Sequence, residues 1–461
     1  MHNAGRPTSI APSDSTTRMR SSMRPRNRRQ VLAALTGAAL LAVTAPAAAA
    51  PAPAALPPVG PGFHWGVAAS GFQSEGHAPD SNWTRYIAGN PEYDPYLNSV
   101  DFYSRYTSDI ALARRLGVNT YRIGIEWARL QPEPGVWDEN AFRFYDAVID
   151  AIVAAGMRPM LTLDHWVYPG WQVDRGGWRN PAMLDDWLTN MRKVVDRYAA
   201  RDPLWVTINE PAIYMMNEVR NGGLSAAELP LMQSRLIAAH NGIYDYIHQV
   251  RPDAMVTSNV AYIPAVDQAV NGAMLAGIAD RLDYVGIDYY YGVSPEVLPA
   301  ISPDALSELW RMPLQADGIY YTLRHFDRMF PGKPLYIVEN GMPTENGLPR
   351  ADGYTRGDNL RDTIYWIQRA KADGMNVIGY NYWSLTDNYE WGSYTPRFGL
   401  YTVDVRSDPS LTRRPTDAVG AYRAIVGDGG VPGDYLPTRA PATCSLVDVP
   451  SSCTDPVTLP R

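Results

Sequence analysis

Eight short apolar runs alternate with longer stretches of helical spacing, and this alternation constrains the fold more than any other feature. The runs are rich in β-branched and aromatic residues, as strands are. They are FHWGVAAS from Phe63, TYRIGIE from Thr120, RPMLTLDH from Arg158, LWVTINE from Leu204, AMVTSNV from Ala254, DYVGIDYYY from Asp283, PLYIVEN from Pro334 and VIGYNYWS from Val377. Eight strands that alternate with helices predict an α/β fold, and the count favours a closed (β/α)8 TIM barrel over a doubly wound open sheet.

The stretches between the runs repeat apolar residues every three or four positions, which predicts amphipathic helices. Two examples are Phe102, Tyr106, Ile110, Ala113 and Leu116, and then Phe142, Tyr145, Val148, Ile149, Ile152 and Val153. Gly117 and Gly156 stand where these two helices should end before the next strand. No glycine-rich phosphate turn follows an early strand, which weighs against the doubly wound alternative.

The first 50 residues have the composition of a bacterial export signal. Arginines precede an apolar run from Val31 to about Val43, and small residues follow that run. The pair Arg28-Arg29 favours a twin-arginine signal, with plain export and a retained membrane anchor as the alternatives. The chain is therefore expected to be secreted, without a membrane attachment once the signal is removed.

The barrel domain is predicted at 62–427, between a Pro/Ala-rich leader at 51–61 and an irregular tail at 428–461. Both cysteines of the chain, Cys444 and Cys453, lie in this tail, and an exported protein can join them by a disulfide. The whole chain has a net charge of −7 although residues 1–50 carry seven arginines and one aspartate. The remaining chain is more acidic still, which disfavours nucleic acid and anionic membranes as partners.

Polar or aromatic residues stand at or near the ends of seven of the eight apolar runs. Active sites of barrel enzymes form where the carboxyl ends of the strands meet, so these residues predict a shared pocket. They are Gln73, Glu75, Arg122, Glu126, His165, Asn209, Glu210, Asp288, Tyr290, Glu339, Asn340 and Trp383.

Two of these residues are glutamates that end their strands in the same way, Glu210 in TINEP and Glu339 in IVENG. The fourth and seventh strands of a barrel lie across its mouth, so both carboxylates can reach one pocket. Cleavage of a glycosidic bond uses such a facing pair. The attacking carboxylate must stay charged, and Arg122 and Tyr290 are the candidates to stabilise the charge of Glu339.

A metal site is the competing interpretation of a carboxylate pair. Metal sites on barrels usually recruit histidine or several aspartates. Here only His165 among seven histidines, and only Asp288 among the aspartates, stand at predicted strand ends. No Gly-x-Ser-x-Gly motif or P-loop is present, and we expect neither a metal nor a cofactor.

From about Phe63 to Tyr422 the chain resembles glycoside hydrolase family 1, the retaining β-glucosidases and β-galactosidases. The motifs that carry the resemblance are FHWGVAASGFQSEG, YTSDIALARRLGVNTYRIGIEWARLQPEPG, LDHWVYPGW, TINEP, IVENG and GYNYWSLTDNYEWGSYTPRFGLYTVD. The last motif is the most specific, because Trp, Asp-Asn, Glu-Trp and Arg-Phe-Gly occur in the family's order.

The resemblance implies a role for each matching residue. Glu210 would be the acid/base and Glu339 the nucleophile of a retaining mechanism, with their carboxyl groups roughly 5 Å apart. The remaining roles fall to residues that would contact the sugar: Asn209 at the 2-hydroxyl, Gln73 and His165 at neighbouring hydroxyls, Trp383 under the ring, and Glu390, with Trp391 beside it, at the 4- and 6-hydroxyls. A non-prolyl cis peptide is expected after Trp383.

Three features depart from the family's pattern. The histidine motif reads HWVYPGW and not the commoner His-Trp-Asp-Leu-Pro, from which little loss is expected. Asp288 stands where the family has asparagine, and this extra acid is expected to shift the pH profile. The connections on the leaving-group side are short, so that side is expected to be open. Glu390 would repel a 6-phosphate, so the resemblance implies an unphosphorylated glycoside or short oligosaccharide as the partner.

The resemblance favours a secreted retaining β-glycosidase, and a β-glucosidase above the others. A transglycosylase that passes the same glycosyl group to an alcohol is the alternative. A sugar-binding protein without catalysis is the third possibility, although it should lack one of the two carboxylates.

Overall fold

The eight apolar runs form a parallel sheet that curls into a barrel. The structure is a computed structural model, and it describes residues 55–301 and 308–459, so the predicted signal at 1–50 lies outside the described residues. In chain order the strands are β1 (His64–Ala68), β2 (Thr120–Gly124), β3 (Arg158–Asp164), β4 (Leu204–Ile208), β5 (Met255–Thr257), β6 (Val260–Ala261), β7 (Val285–Asp288), β8 (Leu335–Asn340), β9 (Thr344–Glu345), β10 (Val377–Trp383), β11 (Pro396–Arg397), β12 (Tyr401–Thr402) and β13 (Arg414–Pro415). β9 pairs with β11 and β12 with β13 outside the barrel.

The order of the sheet is β5-β4-β3-β2-β1-β10-β8-β7-β6, and all of these pairs are parallel. β5 and β6 both come from the fifth apolar run, so the two ends of the sheet are halves of one strand. The sheet is therefore a closed barrel of eight strands, and the doubly wound alternative is wrong.

The fifth strand is broken at Ser258-Asn259, where the sequence pattern predicted one continuous strand. The Ser258 hydroxyl donates to the carbonyl oxygen of Ile208 at 2.7 Å, while Asn259 turns its side chain into the barrel. Gly286 on the neighbouring strand leaves the necessary room, because a Cβ there would lie 2.9 Å from Cβ of Asn259. At the break the strand loses backbone hydrogen bonds to its neighbours, and the side chain of Asn259 enters the pocket.

The helices surround the barrel. They are α1 (Gly71–Glu75), α2 (Asn82–Gly89), α3 (Phe102–Leu116), α4 (Trp127–Leu130), α5 (Glu139–Ala154), α6 (Gly170–Asp174), α7 (Met183–Tyr198), α8 (Pro211–Arg220), α9 (Leu229–Val250), α10 (Asp267–Ile278), α11 (Gly318–Met329), α12 (Arg356–Ala372), α13 (Asp417–Asp428) and α14 (Ser451–Thr454). α3 and α5 are the two helices predicted from apolar spacing, and Gly117 and Gly156 follow them with φ of 84° and 82°. Of the helices described, none is both long and apolar enough to cross a membrane.

The tail packs back onto the barrel domain. Cys444 and Cys453 are joined by a disulfide, and α14 is the one helix described beyond α13. Arg324 of α11 bonds Asp448 between the two cysteines, with Nε to Oδ2 at 3.1 Å. The described part of the leader also contacts the tail, since the amide of Leu56 donates to the carbonyl oxygen of Gly433 at 3.2 Å.

Candidate active site

Strand register brings the predicted site residues to one end of the barrel. Ala68 at the end of β1 lies opposite both Arg122 of β2 and Trp383 of β10, and Asp288 of β7 lies opposite Glu339 of β8. These strand ends are therefore level, and their side chains surround a common pocket. The site depends on the barrel for its geometry, because its residues come from the ends of several different strands.

Glu339 receives a hydrogen bond on each carboxylate oxygen. Arg122 donates from Nη1 to Oε1, and the Tyr290 hydroxyl donates to Oε2 at 2.8 Å. Arg122 is fully buried, and its Nε donates to Oγ1 of Thr162 at 2.9 Å, which fixes the guanidinium. Burial opposes the charge of Arg122, but the carboxylates of Glu339 and Asp288 outweigh burial and raise its pKa. A permanent cation thus lies against Glu339, as the sequence predicted.

Glu210 has a different environment at the start of α8. Its backbone lies in the left-handed region with φ of 40°, which is uncommon for a residue other than glycine. Its Oε2 accepts one long hydrogen bond, from Nδ2 of Asn209 at 3.4 Å. Burial first, and the charge of Glu339 second, raise the pKa of Glu210 to about 8. Glu210 therefore holds a proton at neutral pH, which is the state a general acid requires.

The two glutamates are close enough for a retaining mechanism. Oxygens of Glu210, Asp288 and Glu339 all lie within 4.8 Å of one another, and all three residues are buried. Inverting enzymes keep their carboxyl groups about 6.5–9.5 Å apart, because a water must fit between them. The observed approach agrees with the separation that the sequence resemblance implied.

This trio is also the group of acids, among the residues described, whose spacing would suit a metal ion. However, both oxygens of Glu339 already accept hydrogen bonds, one from the cationic guanidinium of Arg122 and one from Tyr290. A second cation at that position would meet the repulsion of Arg122. The donor set fits an ion pair better than a metal centre.

Asn209 connects the charged centre to its surroundings. Its Oδ1 accepts from Nη2 of Arg122 at 2.6 Å and from Nδ2 of Asn259 at 2.7 Å, while its Nδ2 lies 3.2 Å from Nε2 of His165. Sequence reasoning missed Asn259, which also donates to Oδ2 of Asp288. Asn259 is a polar residue near the end of the fifth apolar run, and this position could have suggested a role in the pocket. The sequence pattern does not show, however, that the strand is broken there.

Glu390 is held by two predicted site residues. Its Oε2 accepts from Nε2 of Gln73 at 3.2 Å, and its Oε1 accepts from Nε1 of Trp383 at 3.2 Å. Burial first, and the charge of Glu339 among further causes, raise the pKa of Glu390 to about 8. These contacts orient a carboxyl group into the pocket, where sugar hydroxyls can bond it.

Aromatic rings pack against His165. The ring of His165 stacks on Trp383 with centroids 5.9 Å apart, and on Trp391 with centroids 5.7 Å apart. Burial first, and the charge of Arg122 second, hold the pKa of His165 well below its usual value, so this ring is neutral. The peptide bond between Trp383 and Ser384 is cis, as the resemblance implied.

Three strand-end residues do not face the pocket. Glu75 accepts from the Tyr145 hydroxyl at 2.8 Å and from Nε of Arg129 at 2.8 Å, in a separate buried network. Burial and the neighbouring charge of Glu75 raise the pKa of Glu126 well above its usual value, so Glu126 belongs to that network. Asn340 donates to the carbonyl oxygen of Tyr289 at 2.6 Å and thereby joins the end of β8 to the segment that follows β7. The predicted shared pocket therefore has fewer members than the sequence pattern indicated.

Comparison with known proteins identifies the family. Residues 58–269 and 269–430 match the family model of "Glycosyl hydrolase family 1". Beta-glucosidase 28 of Arabidopsis thaliana is 28% identical over 79% of this chain and 80% of its own length. Galactolipid galactosyltransferase SFR2 of the same plant is 29% identical over 72% of this chain, which spans 58% of that relative.

A solved structure shows the same fold. The beta-glucosidase of Thermotoga maritima in complex with castanospermine has a TM-score of 0.71 and 23% sequence identity, over 81% of this chain and 99% of that one. The barrel and the family match agree over the segment that contains every site residue described above. The chain belongs to glycosyl hydrolase family 1 and is an O-glycosyl hydrolase.

Proposed function

We propose that this protein is a retaining β-glycosidase, and most specifically a β-glucosidase, that hydrolyses terminal unphosphorylated β-D-glycosyl residues. The observation that carries the proposal is the close approach of two glutamates in opposite environments. Glu339 bonds a permanent cation, whereas Glu210, with an oxygen within 4.8 Å, holds a proton at neutral pH. Such a pair supplies a nucleophile and an acid on the two sides of one bond.

In the first step, a carboxylate oxygen of Glu339 attacks the anomeric carbon. The bond from that carbon to the leaving oxygen breaks, and Glu210 transfers its proton to this oxygen. The product is a glycosyl ester on Glu339 and an ionised Glu210. In the second step, Glu210 takes a proton from water while the water oxygen attacks the anomeric carbon, which releases the sugar and restores both groups.

The other pocket residues bind the sugar in this proposal. Asn209 contacts the 2-hydroxyl, while Gln73 and His165 contact neighbouring hydroxyls. Glu390 forms hydrogen bonds with the 4- and 6-hydroxyls. Trp383 lies under the ring.

The experiment is hydrolysis of aryl β-D-glucoside, galactoside and fucoside by the purified protein, with Glu339→Gln assayed in parallel. Proton NMR during the reaction identifies the anomer that is released first. We expect the β anomer and the highest kcat/KM for the glucoside. Release of the α anomer would contradict the retaining mechanism, and inactivity on every glycoside would contradict the proposed substrate class.

Transglycosylation is the second candidate, because one relative at 29% identity is named a galactosyltransferase. The glycosyl ester on Glu339 can be attacked by an alcohol instead of water, with the same proton transfer to Glu210. The test is the ratio of alkyl glycoside to free sugar when a primary alcohol is added. A ratio above the alcohol-to-water ratio would favour the transferase, and a ratio at or below it would favour the hydrolase.

We also propose that the protein is exported, on the basis of the Arg28-Arg29 pair and the apolar run that follows it. The N-terminus of protein recovered from culture medium would test this. A mature N-terminus near residue 50 is expected, and replacement of both arginines by lysine should retain the protein inside the cell. Secretion that is unaffected by the lysine variant would indicate plain export.

A further inference from the structure

A buried carboxyl group stands directly before His165 and takes no part in the proposed mechanism. Asp164 is the last residue of β3 and is 3% exposed. Its Oδ1 accepts a hydrogen bond from the amide of Trp166 at 2.9 Å, and its Oδ2 accepts one from Nε1 of Trp187 at 2.8 Å. Each carboxyl oxygen therefore has a donor of its own, as a buried carboxylate requires.

The two donors favour the charged form of Asp164. Burial raises the pKa of this carboxyl to about 7, whereas the hydrogen bonds from Trp187 and from the amide of Trp166 act in the opposite direction. An ionised carboxyl accepts on both oxygens, while an asparagine could accept on one alone. An asparagine at this position would therefore turn its NH2 group toward one of the two N–H donors.

The hydrogen bond to Trp166 holds a turn of unusual backbone geometry. Trp166 has φ of 70°, in the left-handed region, which is rare for a bulky side chain. A carboxyl that bonds the amide two residues further on stabilises a tight turn of this kind. His165 lies between Asp164 and Trp166, so the direction of its side chain depends on the turn.

The turn is attached to the catalytic centre on both sides of His165. The carbonyl oxygen of Asp164 accepts from the amide of Asn209 at 2.9 Å, and Nε1 of Trp166 donates to the carbonyl oxygen of Asn209 at 2.7 Å. The rings of Trp166 and Trp391 pack with centroids 4.6 Å apart. A displacement of the turn would therefore move His165 relative to other pocket residues.

His165 has one ring nitrogen left for a ligand. Its Nε2 lies 3.2 Å from Nδ2 of Asn209, which is a donor because Oδ1 of the same amide accepts from Arg122. The neutral ring therefore carries its proton on Nδ1. This Nδ1 is buried and has no hydrogen-bond partner among the described residues. It can donate to a sugar hydroxyl only when the ring is held in place, because hydrogen bonds weaken steeply with poor geometry.

We propose that Asp164 is a positioning residue that fixes the turn at His165 and Trp166, so that His165 meets a hydroxyl of the substrate sugar. This inference rests on the proposed function. Asp164 touches neither the sugar nor the reacting groups, and it acts through His165. Its loss should lower kcat/KM, because a displacement of about 1 Å at a group that positions the substrate can cost about 100-fold.

The test is a double-mutant cycle between Asp164→Asn and His165→Ala, measured as kcat/KM on phenyl β-D-glucoside. In the wild-type background we expect Asp164→Asn to lower kcat/KM by about 10- to 100-fold. In the His165→Ala background the same substitution should lower it by about threefold or less, because the group that Asp164 positions is absent.

Asp283→Asn is the matched control. Asp283 also accepts a backbone amide, that of Val256 at 2.9 Å, and a side-chain donor, the hydroxyl of Tyr244 at 2.9 Å. It precedes β7 and therefore lies at the other end of the barrel. This variant should keep the wild-type kcat/KM.

Thermal unfolding of each variant separates positioning from loss of the fold, and the kinetics are measured well below the lowest melting temperature. If Asp164→Asn does not fold, Trp187→Phe removes the donor to Oδ2 and leaves Asp164 in place. It should cause a smaller loss of kcat/KM, and this loss should also disappear in the His165→Ala background. Equal losses in both backgrounds, or a wild-type kcat/KM in folded Asp164→Asn, would overturn the inference. A wild type without glycosidase activity would instead overturn the proposed function.

Discussion

The carboxyl ends of β4 and β8 each bring one glutamate to the same pocket, but their surroundings are opposite. Glu339 after β8 accepts donors on both oxygens, and one of these donors is the guanidinium of Arg122. Glu210 after β4 accepts one contact at 3.4 Å and lies beside two other acids. Neighbours from other strands, and not the residue type, therefore distinguish the proposed nucleophile from the proposed acid.

The largest expected effect is at Glu339, the proposed nucleophile. Glu339→Gln removes the attacking oxygen charge, so we expect a loss of about 10⁴-fold or more in kcat on every aryl glycoside, whatever its leaving group. Steady-state assays of phenyl and 2,4-dinitrophenyl glucosides measure this loss. Glu345→Gln, an exposed glutamate on the following strand β9, is the control and should retain full activity. A loss that depends on the leaving group would reverse the two assignments.

The next effect should depend on the leaving group. Glu210→Gln removes the acid, and we expect a loss of about 10²–10⁴-fold on phenyl glucoside. The first step on 2,4-dinitrophenyl glucoside should be nearly unaffected, which a pre-steady-state burst would show. Glu218→Gln, a buried residue of the same helix, should show no such distinction. In Glu210→Ala, azide should restore turnover and yield the β-glycosyl azide, and an α azide would contradict the comparison.

Removal of one hydrogen-bond donor to Glu339 should lower activity less. Tyr290→Phe deletes the 2.8 Å hydrogen bond to Oε2, and a bond to a charged group accounts for about 10- to 100-fold in kcat/KM. Tyr289→Phe is the control, because its hydroxyl donates to the carbonyl oxygen of Gln315 and not to a catalytic group. Equal losses in both variants would mean that Tyr290 acts only through packing.

The last prediction needs no substitution and concerns how kcat/KM of the wild type depends on pH. Burial and the charge of Glu339 raise the pKa of Glu210 to about 8, so its acid form exists below that pH and is lost above it. Thus kcat/KM for phenyl glucoside should fall as pH rises through about 8, by tenfold for each further unit. A fall that begins near the ordinary pKa of a glutamate would contradict the raised pKa of Glu210.

Much of this arrangement could be predicted from the sequence, because strand length and helical spacing are local properties. The eight strands, the barrel and the family are confirmed. Asn259 could not be predicted, since the break before it depends on the space that Gly286 leaves on another strand. Glu75 and Glu126 follow the same pattern as Glu210 but face Arg129 and Tyr145, and only the three-dimensional structure separates the two groups.

The buried acids of the pocket also connect catalysis to the stability of the fold. Burial, with the charge of Glu339 as a further cause, raises the pKa of both Glu210 and Glu390 to about 8, whereas each has an ordinary value of 4.5 when exposed. Between these values the folded chain binds protons that the unfolded chain releases, so protons act as a ligand of the native state. The free energy of unfolding must therefore decrease as pH rises across this window. These buried acids therefore weaken the fold progressively between pH 4.5 and about 8, and this weakening is complete at the pH where loss of the Glu210 proton should begin to end catalysis.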